Sequence, residues 1–240
     1  MKISVYCYTN RGGRNHNEDS VRCFAEGGRG VFVVADGLGG HGKGEVASAL
    51  AADVLFEGCA RQDPDSESLL ELFQTANETI LSEQRKPGQE EMKTTAVVLS
   101  LAEDRAVWGH IGDSRLYRFS GGTLTQATRD HSVTYMKYLG GEISYMDIYH
   151  DDDRSSLLRA LGKQPCKPEA NQGTLLSGDA FLLCSDGFWE YVYQEEILAD
   201  LLKAETPEQW AQTMLLRHIR RTPEGNDNFS LIAVFVEEEL

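Results

Sequence analysis

Four times in this chain an apolar run stops on an aspartate followed at once by a small or polar residue. VFVVAD precedes Gly37, WGHIGD precedes Ser114, FLLCSD precedes Gly187, and the shorter GND precedes Asn228. Short runs rich in Val, Ile, Leu and Phe and bounded by turn residues read as strands. Asp36, Asp113, Asp186 and Asp227 would then stand at strand ends, at the mouth of a sheet. Taken singly, Asp before Gly is a common turn former. Gathered at one rim, four carboxylates repel one another, and some must take up protons. A hard divalent cation removes that conflict, because Mg²⁺ and Mn²⁺ take oxygen ligands.

The order of elements narrows the architecture. Strand patterns near 2–9, 20–25 and 30–35 precede two helical stretches, Glu45–Ala60 and Ser66–Arg85. In the second, Leu69, Leu72, Phe73, Ala76 and Ile80 recur at helical spacing. TTAVVLSLA, AVWGHIGD, RLYRFS and LTQAT follow as closely spaced strands, then strands at 169–176 and 180–184, helices near 187–203 and 207–221, and a last strand Phe229–Val236. Strands in meanders favour antiparallel sheets covered by helices over a parallel wound sheet. From Asp130 to Ser156 the periodicity weakens around the acidic run Asp151-Asp152-Asp153. This segment reads as a surface flap, approximately 131–156, or as a plain solvated loop. With no Pro- or Ser-rich linker and no internal repeat, residues 1–240 read as a single domain.

One motif points elsewhere. Gly37-Leu38-Gly39-Gly40-His41-Gly42 fits the G-x-G-x-x-G pattern of a dinucleotide cradle, with a strand before it and a helix after it. Such a fold needs a second parallel strand ending in Asp or Glu after the first helix. Here the helix runs into RQDPDSES and another helix. The P-loop pattern fails as well, since Gly44 follows Lys43 where Ser or Thr is required. A dinucleotide-dependent oxidoreductase therefore rests on the elbow alone.

The net charge of −15 and the lack of a basic patch argue against nucleic acid as a partner. An acidic protein that handles phosphate esters needs cations at its site to offset its own field. The five cysteines are scattered and form no C-x-x-C pair. Cys7, Cys23 and Cys184 sit in apolar strand-like runs and are expected as buried free thiols. Neither a signal peptide nor a membrane span is recognisable, so a cytoplasmic setting is expected.

In order, the chain presents Arg14-x-x-Asn17-Glu18-Asp19-Ser20, Ala35-Asp36-Gly37-Leu38-Gly39-Gly40-His41, Thr94-Thr95-Ala96-Val97 and Gly112-Asp113-Ser114-Arg115. Asp130-His131-Ser132, Arg159-Ala160-Leu161-Gly162, Cys184-Ser185-Asp186-Gly187 and Asp227-Asn228 follow. This ordered set resembles the metal-dependent serine/threonine phosphatases of the PPM, or protein phosphatase 2C, family, most closely its compact bacterial members. The resemblance implies an α+β fold: a four-layer αββα sandwich of two central antiparallel β-sheets flanked by helices, with a flap insertion. It also implies two or three Mg²⁺ or Mn²⁺ ions. Asp36 would bridge two of them and the Gly37 carbonyl would contact the second. Asp186 and Asp227 would complete the first site, Glu18 and Asp19 would support the second, and Asp113 with Asp186 would form a third. Arg14 would grip the phosphoryl oxygens, and His41 would protonate the leaving alcohol.

The implied substrates are phosphoproteins, with a bacterial Ser/Thr kinase and its targets as partners, no nucleic acid, no membrane and a monomeric chain. A catalytically silent signalling module with the same fold is the alternative from another class; retention of every ligand position argues against it. Lys93 stands where the family often has glycine, and Gly141-Glu142-Ile143-Ser144 and His150…Arg154 match the flap only loosely. His110 and His131 are expected to make structural hydrogen bonds.

Overall fold

Central strands of this chain are apolar on both faces, and the computed structural model, which describes residues 1–38 and 43–238, shows why. β1 (Lys2–Asn10), β2 (Asp19–Glu26) and β3 (Arg29–Leu38) lead into α1 (Gly44–Arg61) and α2 (Ser66–Glu83). β4 (Lys93–Thr94), β5 (Ala96–Ala102), β6 (Arg105–Ile111), β7 (Arg115–Ser120) and β8 (Thr123–Ala127) follow. α3 (Val133–Leu139) precedes a 3₁₀ turn at Tyr145–Tyr149, and then come β9 (Glu169–Thr174), β10 (Ala180–Cys184), α4 (Asp186–Trp189), α5 (Gln194–Leu201), α6 (Pro207–Arg221) and β11 (Phe229–Glu237).

The strands form two sheets, ordered β1-β11-β10-β7-β8 and β2-β3-β5-β6-β9, with β4 paired to β3. Every pairing is antiparallel. Along β3, Phe32 and Val34 face the other sheet, while Val31, Val33 and Ala35 pack under α1 and α2. β10 alternates likewise, with Phe181 and Leu183 between the sheets and Leu182 and Cys184 toward α6. A strand sandwiched between a helix layer and a second sheet has no solvent face, so its period-2 signal disappears into a continuous apolar run. The result is the expected αββα sandwich.

The structure corrects two expectations and separates two readings of a third. The helix near 187–203 is two helices, because Tyr193 is extended and its N–H donates to Glu196 Oε2 at 3.2 Å, restarting the chain as α5. Residues 131–156 are folded rather than a plain loop: α3 and the 3₁₀ turn bury Thr134, Ile148 and Tyr149. Cys7 and Cys23 are a disulfide rather than free thiols, since β1 and β2 are the facing edge strands of the two sheets. Cys184 is free and buried, as expected. No described helix is long and apolar enough to cross a membrane.

Candidate metal centre

One end of the sandwich carries a cleft of about 430 Å³ lined by Arg14, Glu18, Asp36, Gly37, Asp113, Asp186 and Asp227, among others. Both sheets supply it. Asp36 follows the buried run Gly30–Ala35 of β3 and lies opposite Asp19 in the β2–β3 register. Asp113 lies in the turn after β6, Asp186 opens α4 after β10, and Asp227 precedes β11. The strand-end aspartates therefore converge as their sequence setting predicts. His41 lies outside the described residues.

Backbone geometry fixes the first of these groups. The Asp36 N–H donates to Thr95 Oγ1 at 3.1 Å, and its carbonyl accepts from Thr95 N at 2.9 Å and Thr94 Oγ1 at 2.7 Å. A Cβ on Gly37 would run into the backbone of Gly44, and one on Gly44 into Gly37, so the end of β3 and the start of α1 touch through hydrogens alone. The Gly37 N–H donates to the Glu18 carbonyl at 3.1 Å. Lys93, the departure from the usual glycine, pairs in β4 with Leu38.

Asp19 is buried, and its Oδ2 accepts from Ser185 Oγ at 2.8 Å and Ser230 Oγ at 2.6 Å. Its Oδ1 is buried with no partner. Burial pushes the Asp19 carboxyl up to about 7, against the lowering effect of the two serines. Burial, then the negative charges of Asp186 and Asp19, hold Asp36 well above the carboxylate range, with Asp186 also within hydrogen-bonding reach of it. Asp113 is raised in the same way, by burial and then by Asp186 and Asp130. Burial is also the largest influence raising Asp186. A site built to stay uncharged would not pack four acids together; an orphaned buried oxygen and mutually repelling carboxylates fit a hard cation. Arg14 donates from Nη2 to Asp227 Oδ2 at 2.9 Å and is mostly exposed. Its Nε and Nη1 have no partner among the described residues.

A second group of possible metal ligands, His110, His131 and Glu169, lies together. Its hydrogen bonds argue for support rather than metal. His131 Nδ1 accepts from the Gly112 N–H at 3.2 Å, and its Nε2 lies 3.2 Å from Glu169 Oε1 and 3.0 Å from Arg159 Nη1, so a guanidinium already stands where a cation would be held. Arg159 already occupies the carboxylate, Nη1 to Oε1 at 3.0 Å. His110 donates to the Arg129 carbonyl at 2.8 Å and stacks on His131 at 4.5 Å. Burial lowers His110, and it lowers His131 to about 4, so both rings stay neutral while bracing the turn that carries Asp113.

Some contributors have no role assigned by sequence reasoning. The Asn228 amide ties the N-terminal loop down: Oδ1 accepts from Glu18 N at 2.7 Å, and Nδ2 donates to the carbonyls of Arg11 and His16 at 2.8 and 2.9 Å. Ser185 and Ser230 hold Asp19, and the hydroxyls of Thr94 and Thr95 hold Asp36. Their signal in the sequence is only adjacency to an aspartate or membership of a quoted motif.

Comparison with known proteins agrees with this geometry. The family description "Protein phosphatase 2C" matches residues 9–218. The chain belongs to the protein phosphatase 2C family. Among curated 2C relatives, the serine/threonine protein phosphatase PstP of Mycobacterium tuberculosis is 32% identical over 93% of this chain and 43% of its own length. The chain thus spans under half of that relative. The serine/threonine phosphatase stp of Listeria welshimeri is 32% identical over 80% of this chain and 79% of its own. A solved structure of the PstP catalytic domain in complex with two manganese ions superposes with a TM-score of 0.86 at 29% identity, covering 99% of each chain. The 2C sandwich is therefore shared with solved relatives.

Proposed function

We propose that this chain is a protein-serine/threonine phosphatase, one domain over residues 1–240, that hydrolyses phosphoserine and phosphothreonine esters with two or three Mg²⁺ or Mn²⁺ ions. The observation that carries the reading is the convergence of Asp36, Asp113, Asp186 and the half-partnered Asp19 at one rim of both sheets. When bound, the cations ease loss of a proton from water and offset charge on the phosphoryl oxygens. Asp36 with the Gly37 carbonyl, Asp186 and Asp227 would hold two ions, Glu18 and Asp19 would support them, and Asp113 would share a third with Asp186.

Arg14 does the remaining binding. Asp227 fixes one edge of its guanidinium, leaving Nε and Nη1 to pair with the phosphoryl group as charge spreads over its oxygens in the transition state. His41, three positions past the end of β3 in the sequence, would give a proton to the departing serine or threonine oxygen. Relatives bearing the names of serine/threonine phosphatases support phosphoproteins as substrates. A bacterial Ser/Thr kinase and its targets are the partners implied, in the cytoplasm, with a monomeric enzyme.

Hydrolysis of p-nitrophenyl phosphate should require added Mn²⁺ or Mg²⁺ and stop with chelator. Asp36→Asn and Asp186→Asn should each lower kcat by at least about a thousandfold, the loss of roughly 4 kcal/mol of transition-state stabilisation. Activity surviving both substitutions would sink the ligand assignment.

A further inference from the structure

A groove of about 490 Å³ lies beside the acidic cleft, and Tyr149, His150, Arg154, Glu190, Tyr193 and Arg221 are among the residues that line it. Two links place it next to the reaction. Arg154 lines the groove while its neighbour Ser155 lines the cleft. Asp186 lines the cleft while Glu190 lines the groove, and the Glu190 N–H donates to the Asp186 carbonyl at 3.0 Å. The two recesses are one helical turn apart, roughly 5 Å.

Glu190 presents one carboxylate oxygen to Arg154, and both arginines that line the groove keep spare donors. Arg154 pairs through Nε with Glu190 Oε1 at 3.1 Å and donates from Nη1 to the Asp151 carbonyl at 3.2 Å. Its Nη2 has no partner among the described residues. Arg221 gives Nη1 and Nη2 to Glu196, which Arg217 also engages, and stacks 4.6 Å over the Tyr193 ring. Its Nε is unpartnered among the described residues. His150 uses Nε2 on the Tyr193 hydroxyl at 3.3 Å, leaving Nδ1. Tyr149 and Tyr193 meet edge to face at 4.8 Å and form a rigid wall. Arginine forks with spare N–H groups on an aromatic floor suit a carboxylate or phosphate. In a chain of net charge −15, such a spot is where a second anion could be held beside the first.

Building on the phosphatase reading, we propose that this groove is a substrate subsite for a second anionic side chain lying close in sequence to the phosphorylated serine or threonine. An extended peptide advances about 3.3 Å per residue, so a side chain roughly one or two residues away spans the offset. Arg154 and Arg221 would recognise the anion, and the enzyme would favour phosphosites with an acidic or second phosphorylated neighbour over neutral ones.

The test is a set of phosphothreonine peptides with alanine, glutamate or a non-hydrolysable phosphonate residue one or two positions to either side. The wild-type kcat/KM should rise about tenfold from alanine to the anionic peptide at one of these positions, the worth of one charge-assisted hydrogen bond. Arg154→Gln should bring that ratio close to one. Arg221→Gln should do the same independently, should Arg154→Gln fail to fold. Phosphonate exceeding glutamate would assign doubly phosphorylated sequences; equal gains would assign acidic ones. A wild-type ratio near one, with p-nitrophenyl phosphate turned over normally, would overturn the subsite alone, as would both variants retaining the preference. No turnover of either substrate with Mn²⁺ present would overturn the phosphatase reading and the subsite with it.

Discussion

At the scale of the residue, the cleft depends on groups that never touch substrate. Asn228 gathers three backbone groups from Arg11, His16 and Glu18, more than two hundred positions earlier in the chain, and so sets where Arg14 and Glu18 stand. Asn228→Ala would leave those groups short of partners, at about 1–3 kcal/mol. Urea denaturation should show that loss, and KM for p-nitrophenyl phosphate should rise more than kcat falls, because Arg14 loses its placement. An unchanged KM would mean the loop holds itself. The aspartates were legible in sequence because a carboxylate ending an apolar strand is locally odd. Asn228 was not, because its three partners become neighbours only after the loop folds back over β11. Asp19 is intermediate: its place in the Glu18-Asp19 pair was readable, whereas its one orphaned oxygen required the facing Ser185 and Ser230.

At the scale of the element, the flap is tied to the centre through one buried cation. Arg115, at the start of β7, is bidentate to Asp130 through Nε at 2.9 Å and Nη2 at 2.6 Å, and gives Nη1 to the Tyr117 hydroxyl at 3.0 Å. Its guanidinium lies 3.4 Å over the Trp189 ring, and Trp189 Nε1 donates to the Asp113 carbonyl at 2.9 Å. α3 starts just past Asp130, and Tyr149 of the 3₁₀ turn packs edge on against Trp189. Arg115→Met should cost about 3–5 kcal/mol in chemical denaturation, because it strands a buried carboxylate. Arg115→Met with Asp130→Leu should recover most of that loss, since no unpaired charge remains. A double variant as unstable as the single would show that the aromatic stack, rather than the charge, governs the site. The break between α4 and α5 belongs to the same scale. Neither Gly nor Pro marks it in EYVYQEE; the Glu196 carboxylate and the Tyr149 hydroxyl, which accepts from Gln194 N at 3.3 Å, supply the stop. Half of that signal comes from the flap, which is why local periodicity carried the helix through.

At the scale of the whole molecule, meandering strands made antiparallel sheets covered by helices readable, whereas the four-layer stacking came from the family resemblance, because strands apolar on both faces carry no period-2 signal to say what covers them. The Cys7–Cys23 link was not readable, since which edge strands face each other depends on the stacking of the two sheets. The same stacking presses the acids of both sheets together and gives stability a definite pH dependence. Asp19 is raised to about 7, and Asp36 and Asp113 are raised as well, all chiefly by burial. An unfolded aspartate titrates near 3.9, as a rough reference. Between about pH 4 and pH 7, the folded chain without metal therefore binds more protons than the unfolded chain, and stability must fall as pH rises. In chelator, Tm should drop steadily from about pH 5 to pH 8. Saturating Mn²⁺ should reverse the drop at the upper end, adding about 2.7 kcal/mol at a concentration a hundredfold above Kd, because cations replace the protons between the carboxylates. Asp36→Asn should flatten the pH slope and weaken the Mn²⁺ shift together, since one carboxylate underlies both. A slope that survives Asp36→Asn with the Mn²⁺ shift intact would place the coupled acids, and the cation, somewhere other than the strand-end cleft.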